Sequence, residues 1–127
     1  MKRDMDLIRD LLLRFEGAPE EFVGKKGLAV DGRTANEVDY HLALLEDAGY
    51  VEHPEPVQPF PGGVRFDHGR RLTNSGHDFL DAVRDPEVWA KTKSGAVAAG
   101  GFTIDLLKDL AKGFLKKKVE ELTGVQL

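Results

Sequence analysis

Any chemistry in this chain would have to come from four histidines, a scatter of carboxylates and one loose group of cations. His41 has the most company, with Asp39 two residues before it and Tyr40 beside it. Asp39 and His41 would need a serine to build a nucleophilic triad. Only Ser75 and Ser94 exist, and nothing in the sequence brings either of them close, so that arrangement is set aside. His53, His68 and His77 are scattered, and no pair has the spacing of a metal site. The chain has no cysteine, which removes disulfides, thiolate metal sites and a cysteine nucleophile together. Gly62-Gly63 and Gly100-Gly101 are bare doublets without a phosphate-cradling pattern. The chain therefore reads as a non-enzyme with no cofactor and no metal.

What remains is recognition. Arg65, His68, Arg70 and Arg71 form the one basic cluster, and Lys25, Lys26 and Arg33 are candidates to extend it. On one reading these groups touch DNA phosphates, with an affinity that falls as salt rises. On the other they form a solvated or salt-bridged face set against Glu46, Asp47 and Glu52. The formal net charge is −4 over 127 residues and −6 over residues 31–55, where Arg33 is the sole Lys or Arg. Carboxylates at that density oppose the approach to phosphate. His41 likewise has two readings: a contact to phosphate or base, or a buried histidine hydrogen-bonded across the hairpin described below.

The elements that must position these residues follow from periodicity. Met5, Ile8, Leu12 and Phe15 make one stripe of an amphipathic helix over residues 2–15, widened by Leu7, Leu11 and Leu13 and stopped by Gly17 and Pro19. Phe22 and Val23 are anchors in an ambiguous stretch. Leu28 to Val30 reads as a strand or extended segment ending in an Asp31-Gly32 turn. A full second helix is hard to find between residues 19 and 30. Thr34 caps the next helix, and Glu37 completes a capping box. Val38, Leu42 and Leu45 line its inner face, and Gly49 ends it in the left-handed conformation. Tyr50 to Glu52 begins a strand. His53 to Gly63 holds four prolines and two glycines and excludes regular structure, and Val64 to Phe66 reads as the return. Thr73 caps a helix with Phe79, Leu80 and Val83 inside. Gly76 lies in its first turn, where a missing side chain admits another backbone. Pro86 starts a further helix at its first position, carrying Val88 and Trp89. Residues 94–101 read as a small-residue linker, and residues 102–127 as an appended amphipathic helix.

Three stretches, MKRDMDLIRDLLL, VDYHLALLEDAGYVE and RLTNSGHDFLDAVRDPEVWAKTK, together resemble a family of small bacterial and prophage-encoded proteins classed as a domain of unknown function. The resemblance extends over most of the chain, including GGFTIDLLKDLAKGFLKKK. It implies a winged-helix-like core and a phage or mobile-element setting, and no activity. More loosely, VDYHLALLEDAGYV and RLTNSGHDFL resemble winged-helix repressors of the arsenic and multiple-antibiotic-resistance types, which are dimeric DNA-binding regulators. The departure is that Glu37, Asp39 and Tyr40 stand where those regulators favour small polar or basic residues.

The expected fold is mainly α with a small β-hairpin: a winged helix-turn-helix-like domain over residues 1–93, the linker, and the C-terminal helix. On the regulator reading, double-stranded DNA is met by Lys25, Lys26, Arg33, Thr34, Asn36, Tyr40, His41, Arg65, His68, Arg70 and Arg71. On the alternative reading the same scaffold binds a protein partner and no DNA. The C-terminal helix has three readings, packing on its own domain, forming a homodimer or docking a partner, and on the homodimer reading Leu106, Leu107, Leu110, Phe114 and Leu115 are the contacts. The charged N-terminus lacks the apolar run of a signal peptide, and no stretch is long enough to span a membrane, so a cytoplasmic protein with no membrane partner is expected.

Overall fold

The structure is a computed structural model and describes residues 1–54 and 69–127. Among these residues it contains five α-helices and a two-stranded antiparallel sheet, arranged in two compact units, Met1–His77 and Asp78–Leu127.

The first unit opens with α1 (Met5–Gly17). Its N-cap is Asp4, whose carboxylate accepts from the N–H groups of Asp6 and Leu7. The cap moves the helix start from residue 2, as the stripe suggests, to Met5. The five apolar residues Leu7, Ile8, Leu11, Leu12 and Phe15 are buried, and α1 packs on α2 (Ala35–Asp47). The capping box of α2 is complete: Thr34 Oγ1 accepts from the N–H of Glu37, and Glu37 Oε1 accepts from the N–H of Thr34. At the other end Gly49 has φ 78°, its N–H reaches the carbonyl of Glu46, and the N–H of Tyr50 reaches that of Leu45. These two bonds form a Schellman end, which requires the left-handed residue.

Between α1 and α2 a 3-10 helix, Lys25–Leu28, takes in the first residue of the expected extended segment; Ala29 after it is extended, and the expected turn at Asp31-Gly32 is closed by the N–H of Arg33 on the carbonyl of Val30. The 3-10 turn closes with the N–H of Gly27 on the carbonyl of Gly24, and Leu28 is buried, with the 3-10 helix packed on α1. The strand character lies earlier, at the single residue Val23, whose backbone exchanges two hydrogen bonds with Arg70. β1 (Val51–Glu52) pairs with β2 (Arg71–Leu72), Val51 opposite Leu72 and Glu52 opposite Arg71. The expected return strand at Val64 to Phe66 lies outside the described residues.

α3 (Asn74–Val83) begins at Thr73. The Thr73 hydroxyl accepts from the N–H of Gly76 and donates to the carbonyl of Gly49, joining the start of α3 to the end of α2. A Cβ on Gly76 would fall on the carbonyl oxygen of Tyr50, which is why this position in the first turn is glycine.

In the second unit α4 (Pro86–Ala98) packs on α5 (Ile104–Thr123). Asp85 caps α4 by accepting from the N–H of Val88. Residues 94–98, read from sequence as part of a linker, are the last turns of α4. Ala96 to Ala98 favour helix, and the chain leaves through a second Schellman end at Gly100, φ 86°. Val88, Trp89, Thr92 and Ala96 are buried, as are Leu107 and Ala111 of α5. The Lys93 ammonium lies 5.9 Å from the centre of the Trp89 ring. No helix among the described residues is long and apolar enough to cross a membrane.

Candidate functional site

Of the residues proposed to meet a ligand, Lys25, Lys26, Arg33, Thr34, Asn36, Tyr40 and His41 lie on the N-terminal half of α2 or in the segment before it, Arg70 and Arg71 lie at β2, and most of these are held by groups of their own unit. His41 is 1% exposed. Its Nε2 accepts from the N–H of Asp4 at 2.8 Å, and its Nδ1 donates to the carbonyl of Glu37 at 2.8 Å. His41 is therefore no surface contact. The hydrogen bond crosses to the start of α1 rather than across the hairpin.

Arg33 belongs to the same cluster. Its guanidinium lies 2.8 Å from Asp4 and 3.5 Å from Glu37, so it joins the capping carboxylates of α1 and α2. Burial pushes the Asp4 carboxyl up, but the Arg33 hydrogen bond and the N–H groups of Leu7 and Asp6 outweigh it and hold it below the usual range. The N–H of Thr34, then burial opposing it, then Arg33, leave Glu37 lowered as well. Arg33, Thr34 and His41 are thus brought together, as a clasp between two helix starts.

Lys25, Arg70 and Arg71 are also paired. Arg70 lies 3.5 Å from Glu46, which also receives Nε2 of His53 at 3.1 Å. Arg71 contacts Glu52 across the strand pair at 2.6 Å and Glu21 at 3.4 Å. Glu46 and Glu52 are two of the three carboxylates that the sequence sets against this cluster. Lys25 on the 3-10 helix lies 3.5 Å from Asp39. Lys26 is exposed and has no ion pair among the described residues. Arg65 and His68 lie outside the described residues. Among those described, no group of His, Cys, Asp and Glu could hold a metal ion.

The exposed surface of α2 is formed by Asn36, Asp39, Tyr40, Ala43 and Asp47, and α2 contains no Lys or Arg. Tyr40 is 39% exposed and stands edge-on to the His41 ring, whose fixed orientation supports it. Beside it Ala29, Val30, Ala35 and Val38 line a cleft together with Lys25, Arg33 and Asp39. The cleft joins four apolar residues to three charged ones, and the sequence offered no local signal for it because it depends on the 3-10 helix.

On α5, Leu107 is 0% exposed and Leu110 lies beside Gly95 of α4. These two expected dimer contacts are spent within their own chain, in the packing of α4 on α5. Leu106 is exposed, and Phe114 and Leu115 are half-buried.

A family model described as a hypothetical protein, DUF2513, matches residues 2–102. The chain belongs to the DUF2513 family. An uncharacterized protein of Haemophilus influenzae is 31% identical over 121 residues, covering 92% of this chain and 98% of that relative. The DUF2513 match ends at Phe102, before α5, whereas coverage of 92% by the relative leaves too few residues to omit all of it. No solved structure matches the chain.

Proposed function

We propose that the first unit of this DUF2513 protein is a winged-helix domain that docks a protein through the exposed face of α2, in place of the DNA groove such a helix often enters. The element order supports the scaffold: helix, single strand residue, short 3-10 helix, helix, strand, residues 55–68, strand. Val23 beside β2 supplies the third strand position of a winged-helix sheet. Fold does not fix function, and this scaffold serves either partner.

The observation that carries the reading is the pairing of the cations. Arg33, Arg70, Arg71 and Lys25 each face a carboxylate of the same unit, and α2 supplies no cation. Phosphate binding would have to break these pairs while bringing Asp39 and Asp47 towards the backbone, and each step opposes the counterion-release gain that drives DNA binding. An exposed tyrosine on the same helix as Ala35 and Val38 of a part-apolar cleft, with Asp39 and Asp47 along its face, suits a protein-docking surface.

Fluorescence anisotropy with random-sequence duplex DNA tests the proposal. No binding at micromolar protein in low salt is expected. Micromolar binding that weakens steeply between about 50 and 200 mM salt would overturn it and restore the regulator reading, with Lys26, Arg65 and His68 as the first groups to substitute.

A further inference from the structure

We infer that the α2 face receives the lysine ladder of α5 from a second copy of this chain; the inference rests on the protein-docking reading and names its partner. On α2, Asp39, Ala43 and Asp47 follow one another at i, i+4, i+8 and so form a line along the exposed face. Asp47 has no ion pair among the described residues, and Asp39 is held by Lys25 alone at 3.5 Å. On α5, Lys108, Lys112 and Lys116 repeat the same spacing, and none of the three has an ion pair among the described residues. Lys112 and Lys116 are exposed.

The two ladders have equal length, about 12 Å for eight residues. Crossed antiparallel, they set Asp39 against Lys116 and Asp47 against Lys108, with Ala43 opposite the stem of Lys112. A small residue at that centre lets the helices approach. Leu115 and Val119 flank the lysine ladder and are only half-buried, which gives Tyr40 an apolar surface to meet. On the side of α5 that faces α4, Leu107 and Ala111 are buried, and Lys118 is held by Asp85 at 2.9 Å. The ladder side lies away from these contacts. Because each copy carries both ladders, a two-fold arrangement satisfies them twice and closes on itself.

Sedimentation equilibrium on the full chain reads this directly. A concentration-dependent dimer is expected, weaker at high salt because the paired charges are exposed. Asp39→Lys with Asp47→Lys, or Lys108→Glu with Lys116→Glu, should each weaken association at least about tenfold with circular dichroism unchanged. Mixing the two variants should restore a dimer, since every contact then joins opposite charges. A monomer at about 0.1 mM in low salt, a dimer indifferent to both reversals, or a mixture that stays monomeric would overturn the inference. A monomer that also ignores DNA removes the second copy as partner and leaves the docking reading standing. DNA binding that Asn36→Ala and Tyr40→Ala abolish removes the docking reading itself.

Discussion

The Nε2 atom of His41 accepts a hydrogen bond from the backbone N–H of Asp4 at 2.8 Å, across a sequence separation of 37 residues. With Nδ1 donating to the Glu37 carbonyl, the imidazole satisfies both of its nitrogens inside the first unit and fixes where α1 starts relative to α2. His41→Ala should destabilise the fold by about 2–4 kcal/mol, through a cavity and an unsatisfied Asp4 N–H. Urea unfolding of wild type and variant checks it. An unchanged midpoint would show that the clasp is not needed.

The core beneath that clasp gives a second expectation. Leu42 is fully buried on the inner face of α2, one residue after the histidine. Leu42→Ala should cost about 2–5 kcal/mol, with the slope of the urea transition preserved. A loss under about 1 kcal/mol would mean that the site collapses around the smaller side chain.

Two glycines on helices should respond in opposite directions. Gly76→Ala forces a methyl onto the Tyr50 carbonyl oxygen and should destabilise by about 1–3 kcal/mol, or more if the backbone cannot yield. Gly113→Ala, in the interior of α5 with nothing within 4 Å of its new Cβ, should stabilise by about 0.5–1 kcal/mol. Thermal unfolding of the pair separates backbone approach from helix propensity. Equal shifts of the same sign would refute the assignment.

Acid should loosen α5 from α4. The Lys118 ammonium, hydrogen-bonded to Asp85, is the main cause that holds this carboxyl below its ordinary 3.8, with the N–H of Val88 next. A carboxyl whose folded value is depressed contributes stability that is complete above the unfolded value and is lost as pH falls through the folded one. The window therefore lies below about pH 4. Asp85→Asn keeps a capping side chain but loses the charge, so the stability difference from wild type should shrink as pH falls from 6 towards 2.5. A difference that stays constant across that range would show that the ion pair adds nothing.

The sequence revealed what local spacing determines. Thr34 with Glu37, Gly49, Thr73 and Pro86 each announce a cap or an end, because their signals depend on neighbours within four residues. Three features depended on distant partners and stayed hidden. Val23 acts as a strand only because Arg70 returns beside it. For His41 burial was one of the two readings, and what stayed hidden was its partner, the N–H of Asp4, 37 residues away. Residues 94–98 carry small side chains that suit a flexible connection or a closely packed helix, and they form the last turns of α4, which packs on α5. For the candidate surface, the acidic character of α2 was legible from composition. The pairing of each arginine with a particular carboxylate was not, since it is fixed by strand register and by the meeting of two helix starts.

The join of β1, β2 and Val23 also bears on how this family can change. Both flanks of residues 55–68 are held by backbone pairing, Val51 and Glu52 on one side and Arg70 to Leu72 on the other. With its exits pinned, that segment can lengthen or shorten at an entropy cost of only about 0.6 kcal/mol per doubling, and α2 stays where it is. New specificity could therefore arise there by insertion while the helical frame is inherited intact.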